Sequence, residues 1–165
     1  MDLSPSARTL QGRVTRPALL WVWLLVKLPA ALFVGVRLRE LTPERCRTTV
    51  PYGWRSQNPF QSTYFAAQAM AAELSTGALT LLAAANAEVP FGTLIVGMTA
   101  SFSKKAAGTV TFTCEEGAAV FAAVQAARES GDARTVTLTT VGRLDDGVEA
   151  SRFTFTWSVK PRSRR

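Results

Sequence analysis

The sequence predicts an α+β domain in which one long helix packs against an antiparallel sheet. Three observations carry that expectation. From Gln61 to about Ala85 the chain has no proline and is dominated by Ala, Leu, Met, Gln and Glu, the strong helix formers. From Glu149 to Val159 the character alternates: Phe153, Phe155, Trp157 and Val159 share one face, and Arg152, Thr154, Thr156 and Ser158 the other. Between Thr135–Arg143 and that strand lies LDDG, a hairpin signal.

The elements follow in order. Residues 1–16 carry Arg8, Arg13 and Arg16 and read as a basic tail. Residues 17–32 include the most hydrophobic stretch of the chain and read as a hydrophobic helix, from Pro17 to about Lys27 with proline at its first position, packed on the domain. Its apolar length approaches that of a spanning helix, but Lys27 falls near the middle and Pro29 interrupts the ladder. Contact with a membrane surface remains the alternative, not the favoured one. Residues 33–160 form the main domain. Short extended segments around Val34–Leu38 and Arg47–Val50 flank the turn LTPER, and PYGWRSQNPF reads as a loop. The long helix then starts at Gln61 or Ser62, with Asn86 as its stop signal. Thr93–Phe102 and Thr109–Cys114 are strands, Ala118–Glu129 is a second helix, and the hairpin closes the domain. Residues 161–165 form a second basic tail.

A length of 165 residues suits one domain, and 47% hydrophobic residues suit a packed core. The net charge of +7 is concentrated in the two tails, so it does not point to nucleic acid. There is no histidine, which excludes Ser-His-Asp and Cys-His catalysis. The cysteines, Cys46 and Cys114, form no CxxC pattern, which argues against a zinc site. They read as buried free thiols, in keeping with a reducing cytoplasm.

Residues 58–73, NPFQSTYFAAQAMAAE, raise the functional question, because Glu73 is the only charge on the helix from Gln61 to Asn86. The order of elements and this stretch resemble the hotdog fold, in which a curled antiparallel sheet wraps around one long central helix. The match is to thioesterase-like hotdog proteins of the phenylacetate-degradation type, and within them to an uncharacterised branch sharing the NPF start and the AMAAE segment. Asn58 matches the family's loop Asn, Glu73 falls in register with its acid, and Gly77 matches a small residue after the acid. Gln61 stands where the family has Gly, and Tyr64-Phe65-Ala66 replaces His-Gly-Gly.

The resemblance implies hydrolysis of an acyl-CoA or acyl-carrier-protein thioester, with no cofactor beyond the CoA of the substrate. It implies a homodimer, with a dimer of dimers left open, in which the acid of one subunit faces the helix start of its partner. Glu73 is then the general base or nucleophile and Asn58 a supporting residue. The Phe65 or Ala66 N–H would supply the oxyanion contact, since a helix start offers unpaired donors and partial positive charge. Tyr64, Met70 and Gly77 would line the pocket. Lys104 and Lys105, in SFSKK, are placed to meet CoA phosphates, although a solvated strand end is the simpler reading. A non-catalytic acyl- or lipid-binding module is the rival function. LDDG is a turn, not a metal site.

Overall fold

A computed structural model describes residues 2–162. Six strands form one antiparallel sheet: β1 (Arg37–Leu41), β2 (Cys46–Val50), β3 (Phe91–Phe102), β4 (Val110–Cys114), β5 (Arg134–Arg143) and β6 (Glu149–Pro161). Their spatial order is β1-β2-β4-β5-β6-β3. The sheet packs around the 22-residue helix α4 (Phe65–Asn86), as the hotdog resemblance implies. The α+β class is the one expected from the sequence, and the curled antiparallel sheet is the one the resemblance implies.

β6 carries the predicted alternation into the core: Phe153, Phe155, Trp157 and Val159 are buried between half-exposed neighbours. α4 is buried on its other sides by Leu74, Leu79 and Leu82 together with several alanines. Those alanines let the helix lie close to the sheet, where Thr48 Oγ1 donates to the Ala71 carbonyl across 2.6 Å. The LDDG turn closes as predicted. Leu144 N–H donates to the Val148 carbonyl at 2.9 Å, and Gly147 takes φ 82°, which favours glycine.

Two expectations are corrected. Residues 1–16 are not a tail: α1 (Pro5–Val14) is a helix whose Ala7 and Val14 are buried. Ser4 caps it through the Ala7 N–H, Pro5 opens it, and Ser4 N–H donates to Asn86 Oδ1 at 2.7 Å. The N-terminal cap is thereby fastened to the far end of α4. The hydrophobic helix runs from Pro17 to Lys27 as expected (α2), and a short further helix, α3 (Pro29–Phe33), follows it, since Pro29 restarts the ladder. The long helix starts at Phe65 rather than Gln61 or Ser62. Asn58 Oδ1 accepts from the Phe60 and Ser62 N–H groups at 3.0 and 3.1 Å, and Gln61 turns to φ 59°. This side-chain-bonded turn holds the backbone out of the helix until Tyr64. Of the predicted C-terminal tail, residues 163–165 lie outside the described residues, and β6 runs on through Pro161.

Both cysteines are free and buried. Although far apart in the sequence, they are direct register partners across β2 and β4. Burial pushes both thiols up, Cys114 to about 11, so both stay protonated at neutral pH.

The helix α5 (Gly117–Ser130) begins where two chain segments almost touch. A Cβ at Gly117 would lie 2.0 Å from the Pro43 carbonyl oxygen and 2.7 Å from the Glu44 carbonyl. All of these atoms are backbone, so no flexible side chain can yield. Gly117→Ala is therefore expected to destabilise the fold by about 1–3 kcal/mol, read as a lowered denaturant midpoint. An unchanged midpoint would show that this contact relaxes freely.

Candidate active site

The site falls into two parts, one at the start of α4 and one halfway along it. At the start, Tyr64 is the cap residue at φ −57° and ψ 137°, with no side-chain capping bond. The chain reaches it under firm control. Thr63 N–H donates to the Ala106 carbonyl at 2.8 Å, and Tyr64 N–H to the Ser56 carbonyl at 2.7 Å. The next three donors, the N–H groups of Phe65, Ala66 and Ala67, have no partner among the described residues. They are the unpaired donors of a helix start, carrying its partial positive charge.

An open cleft of about 420 Å³ lies beside them, lined among others by Asn58, Phe65, Gln68, Lys104 and Lys105. The structure thus brings together four of the residues singled out from the sequence. The Asn58 amide is occupied within its own loop, with Nδ2 donating to Ser62 Oγ at 3.0 Å. Asn58 shapes the entry to the helix. Lys104 and Lys105 are exposed, and neither ammonium has an ion-pair partner among the described residues. The Tyr64 and Phe65 rings meet edge-on with centroids 4.8 Å apart, both half exposed.

Gln68 is a cleft residue that the sequence reading missed. It is buried, donates from Nε2 to the Thr63 carbonyl at 3.0 Å, and accepts from Ser151 Oγ at 2.8 Å. It fixes the first turn of α4 to β6. The signal was present: a lone amide among alanines one turn into the helix.

Glu73 lies in the second part. Nine residues at ~1.5 Å rise put it roughly 13 Å along the helix from Tyr64 and on the opposite side. It is absent from the cleft lining. Ala66, Ala69, Met70 and Glu73 form a half-buried stripe on α4, bordered by buried Thr76, Gly77 and Thr80. The Glu73 carboxylate accepts no hydrogen bond from any described residue. Desolvation alone raises its pKa above the usual carboxylate value.

The carboxylate rests over Gly77, beside the indole of Trp157. A Cβ at Gly77 would meet Glu73 Oε1 at 2.9 Å and Trp157 Cη2 at 3.3 Å. Trp157 is held in turn, its Nε1–H donating to Thr76 Oγ1 at 3.1 Å. Gly77→Ala would leave the indole in place and push the carboxylate aside. If Glu73 acts on substrate, this variant should lose roughly 10²-fold in kcat while staying folded. Wild-type kcat in a folded Gly77→Ala protein would show that the carboxylate's position is immaterial.

Among the described residues, no three His, Cys, Asp or Glu side chains cluster as a metal site. Within one subunit the carboxylate and the open helix start do not meet.

A family profile described as "Domain of unknown function (DUF4442)" matches residues 17–159. Solved structures match over nearly the whole chain. One from Pseudomonas aeruginosa, described as a protein of unknown function and probable thioesterase, is 20% identical with a TM-score of 0.73, covering 92% of this chain and 100% of its own. A putative thioesterase from Shewanella oneidensis is 11% identical with a TM-score of 0.74, covering 93% and 99%. A thioesterase from Haemophilus influenzae is 14% identical with a TM-score of 0.60, covering 83% and 86%. At these identities the likeness is one of fold. No curated protein matches the chain.

Proposed function

The chain belongs to the DUF4442 family and has the hotdog fold of thioesterase-like proteins, and from that premise we infer that it hydrolyses an acyl thioester. The observation that carries this reading is the pairing of unlike features on α4: a desolvated carboxylate without a partner, and a helix start with three free donors. The naming of three structural neighbours as thioesterases supports the same class of reaction. CoA is the proposed thiol, with Lys104 and Lys105 beside the cleft as contacts for its phosphates.

In the proposed reaction the thioester carbonyl oxygen sits against the Phe65 and Ala66 N–H groups, which stabilise the oxyanion as it forms. Glu73 of the other subunit removes a proton from water, which attacks the carbonyl carbon. Collapse of the tetrahedral intermediate expels the thiolate and leaves the carboxylic acid. The alternative is direct attack by the carboxylate, giving an anhydride that water then opens.

The need for a second subunit follows from the distance between the two parts, and β3 suggests how it is met. Among the described residues this 12-residue strand pairs only with β6, which leaves its other edge open. Leu94, Val96, Met98 and Phe102 are exposed along it. A long apolar edge strand without cover invites pairing, and two-fold pairing of β3 with its copy would join the sheets of two subunits. The free thiols suit a reducing cytoplasm.

Thiol release from short, medium, long and aryl acyl-CoAs by the purified protein tests the reading. Release that vanishes in Glu73→Ala supports it, and no release from any of them refutes it. One observation favours a second reading, a non-catalytic acyl-binding protein: the Phe65 side chain lines the cleft where the resemblance expects glycine. An acyl ligand carried through purification, without turnover, would select that reading.

A further inference from the structure

α2 docks on the domain through a narrow strip. Leu20 and Leu24 are buried, Trp23 is partly so, and the opposite side is open. Leu19, Trp21, Val22, Leu25 and Val26 are all exposed, Val26 by 68%. At ~100° per residue these five positions form one continuous sector covering nearly half the helix circumference. Just beyond, exposed Phe33 meets exposed Trp54 edge-on with centroids 6.4 Å apart. An apolar surface of this kind marks a place of interaction.

The charge around it is of one sign. From Leu3 to Arg39 the chain has six basic residues, Arg8, Arg13, Arg16, Lys27, Arg37 and Arg39, and no acid. Two of them are built into the flank of the apolar face. A groove of about 350 Å³ between α2 and β1 is lined by Pro17, Ala18, Trp21, Leu24, Arg37 and Arg39, among others. Arg39 donates to Thr49 Oγ1 at 3.0 Å and Arg37 to the Val36 carbonyl at 2.8 Å. Neither has a carboxylate within ion-pair distance among the described residues. The nearest acid in sequence, Glu40, is paired with Arg45 and Arg47.

We propose that the outer face of α2 seats the protein on an anionic lipid bilayer, with Trp21, Val22 and Val26 in the interfacial layer and Arg37 and Arg39 against lipid phosphates. A helix with tryptophan and aliphatic residues on one side and basic residues beside them is suited to lie in the interface plane. The contact is peripheral. Eleven residues span roughly 16 Å against a ~30 Å hydrocarbon core, and no described helix is long and apolar enough to cross a membrane. A second copy of the chain fits less well. A two-fold contact through this face would set each basic segment against its own copy, with no acid to receive it. This inference does not depend on the hydrolase reading.

The test is co-sedimentation of the full chain with vesicles of phosphatidylcholine alone or with one-third phosphatidylglycerol, at low and high salt, without acyl thioester. The expected result is binding to anionic vesicles that exceeds binding to neutral ones about tenfold or more and falls with salt. Val22→Ser/Val26→Ser changes only exposed side chains and should lower binding by at least tenfold, with an unchanged circular dichroism spectrum. Arg37→Gln/Arg39→Gln should remove much of the preference for anionic lipid. A wild-type protein that stays in the supernatant with both vesicle types overturns the proposal. So does a Val26→Glu protein that loses mass by light scattering while the wild type ignores vesicles, since a second copy then covers the face.

Discussion

Replacing Glu73 by Gln is expected to lower thioester hydrolysis by about 10²–10⁴-fold, the range for loss of a general base, and to raise stability at neutral pH. The two effects share one cause. Burial against Trp157 and Gly77 disfavours the charged carboxylate and raises its pKa in the folded state. Between the ordinary carboxylate value and the raised one, the folded protein holds a proton that the unfolded chain has lost. Stability of the wild type therefore falls as pH rises through that window, and the loss persists above it. An amide at this position has nothing to ionise, so the stability advantage of Glu73→Gln should grow across the window and then level off. Melting temperatures of both proteins across the acid range check this, and a constant difference would refute the burial account. Hydrolysis should run the other way, rising with pH as Glu73 ionises, with a midpoint above the usual carboxylate range. If Glu73 carries the proposed chemistry, this is stability given up for activity.

The second large effect is recovery of activity from two inactive proteins. Phe65→Pro deletes one free donor at the helix start, and the backbone accepts it. Tyr64 already has ψ 137°, as a residue before proline prefers, and Phe65 is the first helical position. Loss of one oxyanion donor costs about 10²–10³-fold. If the site forms between subunits, a mixed dimer of Phe65→Pro and Glu73→Gln contains one intact site and one doubly impaired site. Random mixing of equal amounts makes half of the dimers mixed, so activity should return to about a quarter of wild type. No recovery after co-expression would place the complete site within one subunit. Leu94→Lys/Met98→Lys, on the open edge of β3, should yield monomers by light scattering and the same low activity as Glu73→Gln.

The main architecture was legible because its signals are periodic and local. β6 alternates over its length, α4 is a long run of helix formers, and the hairpin turn needs glycine at position 147. What escaped was set by tertiary contact or by single side chains. α1 carries Arg8 and Arg13 and looks solvated, yet Ser4-Pro5 is a helix-opening pair that could have been weighed. The start of α4 moved because the Asn58 side chain holds the loop open. The facing of Cys46 and Cys114 depends on which strands become neighbours, and β2 pairs with β4 across an intervening helix and strand. Of the cleft lining, Asn58 and Phe65 were singled out through the resemblance, and Lys104 and Lys105 as charges at a strand end. Gln68 and Trp157 were not, because their roles lie in what they hold in place.

The bond from Ser4 to Asn86 joins positions 82 residues apart, and it has a consequence for the order of assembly. α1 pairs with no strand and packs on α4 and α2, so it is suited to dock late, onto a sheet and central helix already formed. An element that arrives last is also the first to open. α1 then acts as a latch over the C-terminal half of α4, releasable without dismantling the strands.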